Sequence, residues 1–281
     1  MGNSSALTLM AVHAHPDDES SSTGGVLALY SREGARTVLV TCTNGEYGDG
    51  AGHVKPGQDG HDPDEVAKTR LTELERAVDE LGVTDVELLG YHDSGMPNWT
   101  FREEEHVFWN TPIDEPVGRL VALMEQYRPD VVVTYDNNGS YNHPDHLRAH
   151  EIAVAATEQT GIPAKLYFTA RRRRGWEELR VRAAAAGIEL PIPAQAREPS
   201  PETIERMNAI EARITTEIDV SSVVDRKRSA LAAHASQLDE SWWLKFPAEL
   251  FSEVFGVETF IRHFDRTGAP VPEDDLFAGL R

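Results

Sequence analysis

At 281 residues and 40% apolar composition, the chain is long enough to bury a full core, as one large α/β domain or one domain with an appendage, and disorder is not the expected state. Lys and Arg number 27 against 47 Asp and Glu, a formal charge of −20 that repels phosphate backbones and anionic lipid surfaces, so neither nucleic acid nor a membrane is an expected partner. The single cysteine, Cys42, cannot form an internal disulfide, and no basic-then-apolar leader or apolar run of about 18 residues is present, which together predict a cytoplasmic protein.

Along the chain, Leu7 to Ala14 is almost wholly apolar, as expected of a strand buried on both faces, and Gly24 to Glu33 carries a helical pattern that stops at Gly34. A second strand, Thr37 to Thr43, includes Cys42 as a small buried residue, and the short helical crossover makes the two strands parallel. Gly45 to Pro63, rich in Gly and Asp, reads as a long surface loop. An amphipathic helix over Asp64 to Leu81 follows, then a strand at Asp85 to Gly90, a helix at Pro116 to Tyr127 and a β-branched strand, Asp130 to Tyr135. A helix runs from near His143 to Gly161 and a strand from Lys165 to Ala170. Beyond these come an Arg run, a helix from Trp176 to Ala186 and the Pro-rich stretch Pro191 to Pro201, where a soft boundary is placed. Thr215 to Val220 reads as a strand, Val224 to Gln237 as a helix, and the tail as a helix through Phe255 with a last strand.

This alternation predicts an α/β fold: a Rossmann-like open, mostly parallel sheet with helices on both faces, spanning residues 1–190, and a smaller C-terminal α+β lobe over 191–281. Ligands of such sheets gather beyond the carboxyl ends of the strands, and two of those ends carry unusual chemistry. HAHPDDE follows the first strand and DNNGSYNHPDHLRAH the fourth, so segments about 130 residues apart can meet over one crevice. Both contain His-Pro-Asp, in which the proline biases the histidine to extended geometry. His15, Asp18 and His146 supply the three ligands of a catalytic zinc site that keeps one position open for water. A second carboxylate must take the proton of that water. The adjacent Asp17 is the candidate, although spacing alone does not say which aspartate does which. His143 can polarise the oxyanion or protonate the departing nitrogen, and Tyr141 can donate its hydroxyl to a tetrahedral intermediate.

AHPDDE near the amino terminus, paired with YNHPDH before a helix, resembles the metal-dependent N-deacetylases of the PIG-L and LmbE-like family, which includes the mycothiol-pathway deacetylase and the mycothiol S-conjugate amidase. The likeness covers Leu7 to Leu166 and continues more loosely in HASQLDE and DLFAGL, two stretches more similar to the amidase. It implies an amide hydrolase that frees the 2-amino nitrogen of an N-acylglucosamine derivative, with one Zn2+ per chain that Fe2+ or Co2+ can replace. By the family pattern His15, Asp18 and His146 are the metal ligands, Asp17 the general base, His143 a charged electrostatic partner and Tyr141 the oxyanion donor. Asp145 joins this catalytic set. Arg70 and Asp93 match positions that hold sugar hydroxyls. Ser22 and Thr23 depart from the amidase branch, which has a lysine there, and Ser22 is carried as a substrate contact with Glu46 and His234.

Each motif also has a plainer reading. His13 shares a strand face with His15 and suits a packed residue. His150, four residues after His146, lacks the glutamate that a zincin helix needs, since Leu147 stands there. Asp64 and Glu65 complement a helix dipole. Arg171 to Arg174 suit a solvated surface, and Trp242, Trp243, Phe246 and Phe251 suit the core of the C-terminal lobe. Two other classes remain: SSSTGG as a phosphate cradle for a nucleotide, although no G-x-G-x-x-G is present, and a non-catalytic sugar-binding protein. A homo-oligomer is compatible with every reading.

Overall fold

The opening apolar run forms β1 (Thr8–His13), in which every residue is buried. The computed structural model describes residues 6–172, 176–185, 187–188, 200–238 and 241–281. After β1 come α1 (Asp18–Ser22), α2 (Gly24–Arg32), β2 (Arg36–Thr43), α3 (Pro63–Leu81), β3 (Asp85–Tyr91), α4 (Asp114–Tyr127) and β4 (Val131–Thr134). A single turn α5 (Gly139–Asn142), the long α6 (Pro144–Thr160) and β5 (Lys165–Ala170) complete the parallel part of the sheet. The remainder supplies α7 (Trp176–Ala185), α8 (Pro201–Glu211), β6 (Thr216–Asp219), α9 (Val224–Ala233), α10 (Ala235–Leu238), α11 (Ala248–Phe255) and β7 (Val257–Asp265).

The seven strands lie in the order β3-β2-β1-β4-β5-β7-β6, parallel through β5, with β7 antiparallel to both neighbours. Successive residues of β1 serve opposite faces, as the two-residue period of a strand requires. Met10 and Val12 pack with Leu120, Met124, Ile152 and Ala153 of α4 and α6, whereas Leu9 and Ala11 pack with Val26, Leu27, Leu74 and Leu81 of α2 and α3. Helices therefore cover both faces, as the sequence predicts. The chain leaves β1 toward β2 and β3 and returns on the other side at β4, so the crevice beyond β1 and β4 is the topological switch point.

Local signals explain the boundaries. The Asp62 carboxylate accepts the backbone N–H groups of Asp64 and Glu65, Pro63 occupies the first turn, and Gly82 closes α3 at φ 71°, so the helix starts one residue before the expected Asp64. The expected helix from Val224 to Gln237 is broken at His234, whose φ of −82° and ψ of 50° end α9 and turn its side chain into the interior. Phe246 and Phe251 are buried with Val224, Leu231 and Leu250 in a cluster of their own, and Trp243 packs against it. The Trp242 side chain, Arg173, Arg174 and the expected boundary at 190/191 lie outside the described residues. Among the described residues no helix is long and apolar enough to cross a membrane.

Candidate metal centre and active site

The two His-Pro-Asp loops meet at the switch point. Asp18 Oδ2 accepts the His15 backbone N–H at 2.9 Å, lies 3.2 Å from His15 Nδ1 and stands 3.4 Å from His146 Nε2. The three residues that the sequence nominates are thus brought together, from the end of β1 and the first turn of α6. The nitrogens of His15, His143 and His146 also fall within 4.8 Å of one another, as do ligand atoms of His15, Asp93, His143 and Asp145.

His146 tests whether this cluster suits a cation. It is 1% exposed and neither ring nitrogen has a hydrogen-bond partner. A buried polar atom left unpaired costs about 1–3 kcal/mol, and coordination would satisfy one of these two. Its ring is held by Tyr135, stacked at 4.1 Å between centroids with 14° between planes, and the Tyr135 hydroxyl accepts the Ala14 backbone N–H at 2.8 Å. This one side chain ties the end of β4 to the end of β1. The donor set therefore fits a divalent cation.

Asp145 is fully buried, and its Oδ2 lies 3.1 Å from His15 Nε2 while accepting the Ser94 backbone N–H at 2.9 Å. Ser94 Oγ donates to its other oxygen. Asp145 thus braces His15 from behind, and Ser94, which sequence reasoning missed, braces Asp145. The signal lies in HDSGMP, residues 92–97, where Ser94 directly follows Asp93. His143 caps α6: its Nδ1 accepts the Asp145 backbone N–H at 3.2 Å, which leaves Nε2 uncommitted. Burial, followed by the neighbouring His15 and His146, drives its pKa well below the usual imidazole value, so the charge expected on His143 is not favoured by its surroundings.

Asp17 takes an unusual backbone conformation. Its backbone lies at φ 114°, a region costly for a residue with a Cβ, and its side chain is 22% exposed. Arg70 Nη2 donates to its Oδ2 at 3.1 Å and to the Pro16 carbonyl at 2.7 Å, while Nη1 donates to the Gly45 carbonyl at 2.9 Å. Burial pushes the Asp17 pKa up to about 6 against the opposing pull of Arg70. Tyr141 stands 54% exposed at the mouth, edge-on to His146 at 5.0 Å, on a turn in which Ser140 and Asn142 take φ values of 62° and 65°. Asp136 shapes that turn, its Oδ1 accepting the backbone N–H groups of Asn138 and Ser140.

Several expected contacts need correction. His234 is fully buried with Nε2 2.7 Å from Glu19 Oε1, so it reaches the site from behind and presents nothing to a ligand. Glu46, 6% exposed, accepts from the Asn44 amide and the Asp93 backbone N–H, which makes it a loop brace. Arg70 engages the three protein acceptors named above through Nη1 and Nη2, while its buried Nε has no hydrogen-bond partner. Asp93 stays at the site, its Oδ1 3.7 Å from His15 Nε2 and accepting the Gly95 N–H. Ser22 is half-buried on α1, its hydroxyl 3.4 Å from that of Ser21. His13 is buried against Thr23 Oγ1 at 2.8 Å and its pKa is lowered to about 4 by burial, as a packed neutral histidine requires. His150 bonds the Tyr135 carbonyl oxygen through Nδ1, away from the cluster. Arg172 pairs with Glu217. The phosphate-cradle reading also fails, because the Gly25 and Val26 N–H groups at the start of α2 donate to the Glu258 carboxylate at 2.7 and 2.9 Å.

A chain from Salinispora arenicola named 1D-myo-inositol 2-acetamido-2-deoxy-alpha-D-glucopyranoside deacetylase is 38% identical over 97% of this chain and 91% of its own length. Among solved structures, N,N'-diacetylchitobiose deacetylase from Pyrococcus horikoshii superposes with a TM-score of 0.59 at 18% identity, covering 92% of this chain and 84% of that one. The 4-carboxy-2-hydroxymuconate hydratase GalB from Pseudomonas putida gives 0.61 at 18% identity, over 94% of this chain and 99% of its own. A hydratase on the same scaffold shows that the fold alone does not decide the reaction. The family model described as PIG-L, GlcNAc-PI de-N-acetylase, matches residues 10–157, which hold every residue of the cluster, and the chain belongs to that family.

Proposed function

We propose that this chain is a zinc-dependent amide hydrolase that removes the acetyl group from the glucosamine nitrogen of 1D-myo-inositol 2-acetamido-2-deoxy-α-D-glucopyranoside. The observation that carries this reading is the convergence of the two His-Pro-Asp loops on Asp18 Oδ2, 3.2 Å from one imidazole nitrogen and 3.4 Å from another. Substrate identity is supported by the name of the Salinispora relative at 38% identity over 97% of the chain, which favours the deacetylase over the conjugate amidase. Cys42, unpaired and buried, suits a cytoplasmic enzyme.

His15 through Nδ1, Asp18 and His146 would hold one zinc, a two-nitrogen, one-carboxylate set that Fe2+ or Co2+ can also occupy. When bound, such a cation polarises the amide carbonyl and lowers the pKa of water to about 7. Asp145 receives the Nε2–H of His15 and keeps Nδ1 aimed at the cation. Asp17, steadied by Arg70, takes a proton from water as its oxygen bonds to the carbonyl carbon. Tyr141, with its hydroxyl at the mouth, and His143, through Nε2, face the oxygen that gains charge. The C–N bond then breaks, the proton passes to nitrogen, and acetate and the free amine leave.

The test is release of primary amine from the N-acetylglucosaminyl-inositol, before and after chelation and after adding back zinc. Turnover that disappears with chelator and returns with zinc is expected. Full turnover in metal-stripped protein would refute the proposal.

A further inference from the structure

Behind Asp17 lies a buried acid and imidazole pair that the reaction above does not use. Glu19, fully buried in α1, places Oε1 2.7 Å from His234 Nε2 and accepts the Ser20 hydroxyl at 2.5 Å. Its other oxygen, Oε2, accepts the backbone N–H of Asp17 at 3.0 Å. That N–H belongs to the residue at φ 114°, the one non-glycine backbone in the HPDDE turn held in positive φ. A strained conformation persists only where its surroundings over-determine it. Here the Asp17 side chain is held by Arg70 on one side and its amide by Glu19 on the other. Glu19 is in turn held by His234, which arrives 215 residues later in the chain, at the break between α9 and α10.

The segment after that break fastens the same region at two further points. Ser236 donates through its backbone N–H and hydroxyl to Glu73 of α3, at 2.8 and 2.7 Å. The Gln237 amide accepts from the Asp49 N–H at 2.9 Å and donates to the Asp49 carbonyl at 3.0 Å, closing on the Gly45–Asp49 loop that Arg70 also holds. His234, Ser236 and Gln237 therefore form a strap across the back of the HPDD turn.

We infer that His234 and Glu19 are positioning residues: the pair locks the Asp17 amide, and so aims the Asp17 carboxylate at the water it deprotonates, without touching substrate or metal. The inference rests on the assignment of Asp17 as general base. A displacement of about 1 Å in such a group costs on the order of 100-fold in rate. His234→Ala removes the imidazole anchor of Glu19 and leaves Oε1 only the Ser20 hydroxyl, whereas His234→Gln keeps an N–H donor toward it.

The experiment measures kcat, KM, bound zinc and melting temperature for His234→Ala, His234→Gln and Glu19→Ala, together with the crystal structure of zinc-loaded His234→Ala. For the alanine variants the expected result is a fall in kcat of roughly 10- to 100-fold. KM and zinc stoichiometry should stay unchanged, and Asp17 should leave its positive φ. The His234→Gln variant should recover most of the lost kcat. On an Asp17→Asn background His234→Ala should add no further loss, because the two residues act as one unit. A rise in KM at constant kcat, a fall of kcat in step with zinc content, or an unchanged Asp17 backbone would each overturn the inference. Undiminished turnover in Asp17→Asn alone would instead refute the general-base assignment, and the Asp17 backbone in the His234→Ala structure would still report on the lock.

Discussion

Replacing Asp145 tests which nitrogen of His15 faces the cation. Asp145 Oδ2 serves two buried donors, His15 Nε2–H at 3.1 Å and the Ser94 N–H at 2.9 Å, and its other oxygen serves the Ser94 hydroxyl. Asp145→Asn can keep an oxygen toward the first two donors, because Ser94 Oγ is able to turn and accept from the new amide while still accepting the Trp109 N–H at 2.9 Å. What is lost is the charge. The difference between a hydrogen bond to a charged and to a neutral acceptor is about 1 kcal/mol, or roughly fivefold in zinc affinity. Asp145→Ala removes both acceptors and frees the imidazole to rotate, for which a loss of about 10- to 100-fold in affinity is expected, close to 1.4–2.8 kcal/mol. Competition against a chromophoric chelator reads the affinity directly, and circular dichroism confirms folding. If folded Asp145→Ala binds zinc as tightly as the parent, Nδ1 coordination with Nε2 braced by Asp145 is wrong.

Asp17→Asn should lose turnover by roughly 100- to 10,000-fold while retaining one zinc, measured by amine release and elemental analysis. Glu273→Leu should destabilise the fold by about 3–5 kcal/mol in urea titration, because it strands Lys165, a fully buried ammonium whose Nζ lies 2.6 Å from Glu273 Oε1. Gly25→Ala should cost about 1–3 kcal/mol in the same assay, since a Cβ there would meet Val220 Cγ2 at 2.5 Å and Glu258 Oε1 at 2.8 Å.

The parallel half of the sheet was legible because its strands are short apolar runs separated by helical periods and capping residues, and Lys165–Ala170 falls where the sequence places it. The convergence of HPDD and HPDH was legible for a topological reason, since β1 and β4 end side by side at the switch point. What stayed hidden depends on three-dimensional partners. Nothing local in ALAAHASQ says that His234 will turn inward to a glutamate beside the metal loop, and a continuous helix satisfies the same pattern. The left-handed Asp17 was likewise invisible, because no glycine marks it. Arg70 and Glu46 are of residue types that bind sugars, yet they are engaged by loop groups, the Pro16 and Gly45 carbonyls and Asp17 for Arg70, the Asp93 N–H and Asn44 amide for Glu46, that only folding brings within reach.

Glu258, on the last strand, accepts the Gly25 and Val26 amides in the first turn of α2 and pairs with Lys227 at 2.6 Å. Proteins are synthesised from the amino terminus, so the helix that backs the HPDD turn waits for its cap until more than two hundred further residues have left the ribosome. Nascent chains cut short of that strand should therefore lack a completed centre even though they carry every nominated ligand.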